Sequence, residues 1–327
     1  VSQEAADSMP KAYASDKSLP RVAIIGGGIG GLALGVACWH RNIPFTVYER
    51  DTSFLQRKQG YGLTLQQASK ALKGFGIQSV AGGITSTRHV VHTQDGQQVA
   101  EWGLRKWGRS SPSKPRRQNV HIARQALRYE LLQALQEQVQ WGFQLKGLKE
   151  TDNNVELTFA HADGKEIAET ADVVVGADGI RSTVRSFLVE ETQTPLQYLG
   201  CLVILGICPL GALERYQESE LFDGHTVFQT ADGTTRLYAM PFSKSEYMWQ
   251  LSFPEEEDKA KMASQTGTLK EAALQKCETW HDPIPQLLRA TPADFISGYP
   301  VYDRSLLEPR ILASKSKRVT LLGDAAQ

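Results

Sequence analysis

The chain of 327 residues is long enough for one large or two medium domains, each with its own apolar core. It carries 36 basic and 36 acidic side chains, so its net charge at pH 7 is near zero, and 41% of its residues are apolar. That balance excludes a whole-protein field that gathers nucleic acid or anionic membrane, and no run approaches the ~20 apolar residues of a membrane span.

Residues 1–20 mix serine, alanine, aspartate and lysine without an apolar h-region. They read as a disordered lead-in and not as a signal peptide. The opening on Val1 in place of a methionine reads as a processed product or a fragment. Cys38, Cys201, Cys208 and Cys277 form no C-x-x-C pair. They read as buried thiols in a reducing compartment, so a cytoplasmic location is expected.

Order begins at Arg21. The apolar run Val22 to Ile25 suits a buried parallel strand, the glycine turn Gly26 to Gly31 follows, and Leu32, Val36 and Ala37 mark a helix. A second strand, Phe45 to Tyr48, ends at Glu49. Strand, glycine turn, helix and strand in about thirty residues is the opening unit of a dinucleotide-binding, Rossmann-type sheet. Further on, the pattern predicts a helix from Gln67 to Lys73. Strands follow at His89–Thr93 and Gln97–Trp102 about an Asp95-Gly96 turn, then an exposed basic loop over 105–117. Leu127, Leu131 and Leu135 recur at helical spacing and predict one helix from Ala123 to Gln140.

A second hairpin is expected over 155–171 about Asp163-Gly164, and then the valine strand 172–175 running into Gly176-Ala-Asp-Gly179 and a short helix near Arg181. From 195 to 253 the signal is all strand, Glu255 to Lys276 reads as one helix, and Tyr299–Tyr302 and Arg318–Leu322 are closing strands. The fold class is α/β: a doubly wound dinucleotide-binding domain with an inserted sheet-rich substrate domain. The expected division assigns 21–83, 118–187 and 303–327 to the first domain, and 84–117 and 188–302 to the second.

Four segments carry chemistry. Gly26-x-Gly28-x-x-Gly31 lies between a buried strand and a helix, as its function requires. Gly26 permits the tight turn, Gly28 admits a pyrophosphate to the backbone N–H groups, and Gly31 lets helix and strand pack. Glu49 ends the second strand, where a carboxylate can accept both ribose hydroxyls of an adenosine. The competing reading is a glycine-rich connector without a ligand. The other three segments are Ile122-Ala-Arg124-Gln-Ala-Leu127, Val174-Val-Gly-Ala-Asp178-Gly179-Ile-Arg181-Ser-x-x-Arg185, and Leu321-Leu-Gly323-Asp324-Ala-Ala326.

In this order, the four segments resemble the single-component, class A FAD-dependent aromatic monooxygenases typified by p-hydroxybenzoate hydroxylase, over roughly Arg21 to Gln327. The resemblance implies that Arg124 reaches the flavin's phosphate or ribityl region, against its reading as a surface helical arginine. It implies that Asp178 and Gly179 form a turn serving flavin and nicotinamide, and that Asp324 binds a ribityl hydroxyl. Gly60-Tyr61-Gly62 resembles the loop beside the flavin ring, with Arg57 or Lys58 as a flavin-contacting cation; Arg57 reads equally well as solvated. The family's third fingerprint runs on into a histidine and a proline- and glycine-rich loop. This sequence has Gln327 there and stops, which implies truncation within the motif.

By the same resemblance, NAD(P)H is the reductant, O2 the oxidant, and an aromatic or similarly electron-rich small molecule the substrate, hydroxylated through a flavin C4a-hydroperoxide. No single catalytic side chain is identified. Tyr216, His225, Tyr238, Met240 and Trp249 are candidates for the substrate wall. Seven histidines show no compact ligand spacing, so no metal site is expected. Two alternatives stay open: a same-fold flavin enzyme that epoxidises or reduces, and an inactive FAD-domain fragment acting as a binding module. The basic 105–117 loop is better read as solvated, or as a patch for an anionic small molecule, than as a nucleic-acid site.

Overall fold

The computed structural model describes residues 18–56, 61–66, 68–77, 80–107, 119–135, 138–213 and 219–326. Its strands are β1 (Val22–Ile25), β2 (Phe45–Glu49), β3 (Gly62–Thr64), β4 (Ile84–Ser86), β5 (Arg88–Thr93), β6 (Gln98–Trp102), β7 (Asn119–Ala123), β8 (Val139–Trp141) and β9 (Phe143–Glu150). They continue with β10 (Val155–His161), β11 (Glu166–Ala171), β12 (Val173–Gly176), β13 (Gln197–Pro209), β14 (Thr226–Ala231), β15 (Arg236–Ser243), β16 (Glu246–Pro254), β17 (Ile296–Asp303) and β18 (Val319–Leu321). The helices are α1 (Ile29–Trp39), α2 (Ala68–Gly74), α3 (Leu104–Trp107), α4 (Arg124–Gln133), α5 (Thr183–Leu188), α6 (Glu257–Thr266), α7 (Leu269–Cys277) and α8 (Ile284–Ala290).

Strands β18, β12, β1, β2 and β8 lie side by side in that order, every neighbouring pair parallel. Both faces are covered, which is why these strands read as continuous apolar runs. Val22, Ile24 and Val47 pack with Leu32 and Val36 of α1 and with Leu127 and Leu131 of α4. Ala23, Ile25, Val174 and Val319 face the opposite way, onto Leu145, Leu157 and Phe159 of the antiparallel β9–β10–β11 sheet and onto Val184 of α5.

The second large sheet has the order β17, β13, β16, β15, β14, β5, β6, antiparallel except where β14 runs beside β5. One face packs Ile204, Phe228, Leu237, Trp249 and Leu251 against Leu269, Ala273, Leu287 and Leu288 of α7 and α8. Its other face carries Val227, Met240 and Met248. A small sheet, β3–β7–β4, stands beside that second face. Because β4 pairs with β7, the chain enters the seven-stranded sheet at Arg88.

Two expected helices are corrected. The helix read as Ala123 to Gln140 stops at Gln133, and residues 139–141 form β8, pairing Val139 with Val47. Val139 continues the i, i+4 stripe of Leu127, Leu131 and Leu135, so helical spacing runs on into an edge strand. The helix read as Glu255 to Lys276 is two helices, broken where Gly267 takes φ +75. Only glycine adopts that left-handed conformation at no steric cost. Neither β9 nor α8 is expected from the sequence pattern. Among the described residues no helix is long and apolar enough to cross a membrane. All four cysteines are free, three of them buried.

Candidate cofactor-binding site

Three of the motif turns emerge from the carboxyl ends of three adjacent parallel strands: Gly26 after β1, Asp178 after β12, and Leu322 to Asp324 after β18. Ligands of open α/β sheets bind at that edge. The ladder itself draws the turns together. Gly26 N–H donates to the Tyr48 carbonyl at 2.8 Å, Ala177 N–H to Ile25 at 2.7 Å, and Leu322 N–H to Gly176 at 2.8 Å.

The glycines divide by what a Cβ would meet. At Gly26, with φ +111, it would overlap the Ala177 carbonyl, and at Gly31 the Gly26 carbonyl oxygen. At Gly28 it would meet nothing within 4 Å. Gly28 is also the N-cap of α1 and supplies no side-chain hydrogen bond to the first-turn N–H groups. An open space in front of an uncapped helix start is the setting for an anionic phosphate.

Glu49 sits beneath the turn and is 3% exposed. Its Oε2 accepts the Gly27 N–H at 2.7 Å and its Oε1 the Asp51 N–H at 3.0 Å. Arg128 completes this layer. Its Nε donates to the Gly27 carbonyl at 2.8 Å, and its Nη2 lies 3.7 Å from Glu49. The Phe54 and Trp141 rings lie 5.3 and 5.6 Å from its guanidinium. Sequence reasoning missed Arg128. The available signal was its place beside Leu127 on the buried side of α4, where an arginine needs a carboxylate partner.

Asp178 Oδ2 accepts the Thr183 N–H at 2.8 Å, which ties the turn to the start of α5. Burial pushes its carboxyl above the usual range, against the pull of the Thr183 and Val184 N–H groups. Its Oδ1 is buried without a hydrogen-bond partner among the described residues. Gly179 takes φ +83 with open space beside its Cα. Arg181 lies 5.8 Å from the Tyr302 ring, while Arg185 turns inward and donates to the Ala325 carbonyl at 3.1 Å. Asp324 is exposed in the one-turn helix that follows β18.

Arg124 opens α4 on the neighbouring β3–β7 edge. Its N–H donates to the Tyr61 carbonyl at 2.9 Å, and its guanidinium lies 5.5 Å from the Tyr61 ring. Next along, Gly62 N–H donates to Met248 Sδ at 2.8 Å, and Met240 fills the space a Cβ would need. Arg57, Lys58, Gly60 and Tyr216 lie outside the described residues.

Of the expected wall residues, Tyr238 and Met240 face the Tyr61–Gly62 corner with Met248, Ile207 and Phe242. Trp249 does not: it is fully buried on the helix-covered face, where Nε1 donates to Thr291 Oγ1 at 2.8 Å. Odd and even positions of β16 serve opposite faces, and the sequence alone does not say which is which. His225 bonds the Thr85 carbonyl at the sheet's end.

The structure therefore brings together Gly26, Gly28, Gly31, Asp178, Gly179 and Asp324, with Glu49 underneath and Arg124 on the adjoining edge. Open space at Gly28, the uncapped helix start and the orphan Asp178 oxygen fit a bound dinucleotide.

A family model described as "FAD binding domain" matches residues 20–301. The chain is 27% identical over 311 residues to aurachin C monooxygenase/isomerase of Stigmatella aurantiaca, covering 93% of this chain and 73% of that protein. It is 28% identical over 320 residues to the chloroplastic zeaxanthin epoxidase of Nicotiana plumbaginifolia, covering 93% of this chain but 44% of the relative. Among solved structures, Klebsiella pneumoniae HpxO complexed with FAD and uric acid superposes with a TM-score of 0.74 at 20% identity, covering 97% of this chain and 75% of that one. The 2,6-dihydroxypyridine-3-hydroxylase from Arthrobacter nicotinovorans gives a TM-score of 0.77 at 18% identity, covering 94% and 77%. At such identities the structural likeness is one of fold.

Proposed function

Because the chain belongs to the family of FAD binding domains, we propose that it acts as an FAD-dependent monooxygenase, using NAD(P)H and O2 to hydroxylate an aromatic or similarly electron-rich small molecule. The observation that carries this reading is the convergence of the three motif turns on one sheet edge, in front of the uncapped start of α1. Bound FAD supplies the redox chemistry, accepting reducing equivalents and activating oxygen.

The chain's own residues bind and shield. First-turn N–H groups of α1 take the pyrophosphate across the space left by Gly28. The Asp178–Gly179 turn and Asp324 take ribityl and neighbouring polar groups, and Arg124 offers a guanidinium fork to phosphate or ribityl oxygens. The ribose role of Glu49 belongs to the same proposal: its carboxylate ends β2 directly beside the glycine turn, where it accepts the Gly27 and Asp51 N–H groups. Residues 21–83, 118–187 and 303–327 serve as the FAD unit, and 84–117 with 188–302 as the substrate unit. The substrate lies against the face carrying Tyr238, Met240 and Met248, an apolar surface that a planar ring can cover.

One similarity favours a second outcome on the same site: the likeness to zeaxanthin epoxidase spans 93% of this chain. Hydroxylation and epoxidation differ in the substrate's acceptor bond, so product analysis separates them. The test begins with the visible spectrum of the protein incubated with FAD and freed of excess flavin. A perturbed, retained flavin band is expected, followed by phenol-stimulated NAD(P)H oxidation. A folded protein that retains no flavin overturns the reading and leaves the binding-module alternative.

A further inference from the structure

Between the parallel sheet and the β9–β10–β11 sheet, at the Arg21 end of β1 and away from the glycine turn, the layers enclose a cavity of about 340 Å³. That volume falls in the range of small-molecule sites, about 300 to 1,000 Å³. Thr46 and Tyr48 of β2 line one wall, and Phe143 of β9 and Glu169 of β11 line the other. The exposed Arg21 and Gln140 stand at its mouth. None of the motif residues lines it.

Glu169 is out of place for its position. It lies two residues before Ala171 on β11, and so on the face that Ala171 buries against the parallel sheet. It is half-buried there, yet among the described residues its carboxylate accepts no hydrogen bond and pairs with no cation. Arg21 lines the same cavity without pairing with it. The Arg21 Nη2 donates to the Thr170 carbonyl and, at 2.8 Å, to the Thr170 hydroxyl. That holds the guanidinium in place and leaves its Nε and Nη1 donors for another acceptor. Tyr48 is 8% exposed, and its ring stacks on Phe159 with centroids 4.6 Å apart. Burial first, and the Glu169 charge second, push its phenol up to about 12, against the pull of Arg21 and the Thr46 hydroxyl. It therefore faces the cavity as a neutral hydroxyl, able to donate and to accept.

The cavity thus carries one cation and one carboxylate that do not neutralise each other, two neutral hydroxyls and an aromatic wall. A simple anion would satisfy Arg21 and be repelled by Glu169, and a simple cation the reverse. A neutral polyol would leave both charges uncompensated. A small molecule that bears both charges and an apolar body meets every group. We propose that this cavity binds a free α-amino acid, with its carboxylate on Arg21, its ammonium on Glu169 and its side chain along Phe143. The Tyr48 and Thr46 hydroxyls supply the remaining hydrogen bonds. Because the cavity shares no lining residue with the motif turns, the proposal stands apart from the FAD reading.

The test uses the full chain incubated with FAD. Each of the common L-amino acids is added at millimolar concentration in a thermal-shift screen, and those that raise the melting temperature are titrated calorimetrically. At least one should bind with a single site per chain. For that amino acid, the analogue lacking the ammonium and the analogue lacking the carboxylate should each bind weaker by about tenfold or more. Glu169→Gln should weaken the amino acid by a similar factor and narrow its advantage over the deaminated analogue. Arg21→Gln should do the same against the decarboxylated one. The variants should hold flavin as the wild type does. If Arg21→Gln does not fold, Glu169→Gln decides, since its carboxylate has no partner within the protein to lose. A folded chain that takes up no amino acid overturns the site. So does an amino acid whose affinity is unchanged in both variants, or one matched by either single-charge analogue.

Discussion

Arg185 Nη1 donates to the Ala325 carbonyl at 3.1 Å, so the helix that follows the Asp178 turn holds the Asp324 turn in place. The same guanidinium reaches the Ser305 carbonyl through Nη2 at 3.3 Å, and the side chain is buried. Two motifs some 140 residues apart are thereby fixed to one another by a residue that need not touch the cofactor.

Arg185→Met keeps the length of the stem and removes the donors, leaving the buried Ala325 carbonyl without one. Stability should fall by about 2 to 3 kcal/mol, read by urea unfolding, and FAD affinity should fall with it because the Asp324 turn loosens. Unchanged flavin affinity in a folded variant would show that the turn is held by other means.

The glycine turn offers a sharper contrast. Gly31→Ala drives a methyl into the Gly26 carbonyl, a rigid backbone atom, so the variant should be severely destabilised or fail to fold. Gly28→Ala places its methyl in open space, so thermal stability should stay near wild type. On the proposed phosphate site that methyl would stand in the pyrophosphate's way, so FAD binding should weaken by tenfold or more, about 1.4 kcal/mol. Flavin titration of both variants separates the two roles, and wild-type affinity in Gly28→Ala counts against the phosphate site.

His121 makes the fold acid-sensitive. Its imidazole is held at about 4 in the folded protein, against 6.5 for an unperturbed histidine. Between those values the unfolded chain binds a proton that the folded one refuses, so stability is full above pH 6.5 and declines as the pH falls toward 4. The loss across that window is about 3 kcal/mol. His121→Gln should flatten the slope of denaturation midpoint against pH in this range. An identical slope in the variant would assign the acid sensitivity to other groups.

Much of the geometry of the candidate edge was legible because its physics is local. A glycine between a buried strand and a helix has few alternatives, and the Gly26, Asp178 and Asp324 turns each announce themselves within a few residues. What failed to show depends on partners distant in sequence. Val139 satisfies a helical stripe and an edge strand equally well, and only its pairing with Val47 decides. Arg128 is an ordinary helical arginine until Gly27 and Glu49 meet it from a different element. Thr64, His121, Ser86 and His89 sit on four different strands, and only the folded sheets join them through hydrogen bonds.

The two faces of β16 give the last prediction, from adjacent residues. Trp249 fills the helix-covered core and packs so closely on Gly206 that no Cβ fits there. Trp249→Phe removes ring volume and the bond to Thr291, so stability should fall by about 1 to 3 kcal/mol. Flavin and phenol binding should be untouched. Met248→Leu conserves volume, so stability should change by less than about 1.5 kcal/mol. Its sulfur, however, is the acceptor of the Gly62 N–H, and Gly62 follows the tyrosine over which Arg124 lies. Losing that acceptor frees the corner beside the proposed substrate face, so phenol affinity and the perturbation of the bound flavin spectrum should change while the melting curve barely moves. Measuring melting temperature and ligand titration on both variants tests the face assignment directly. A Trp249→Phe protein that loses phenol binding, paired with a Met248→Leu protein that does not, would invert it.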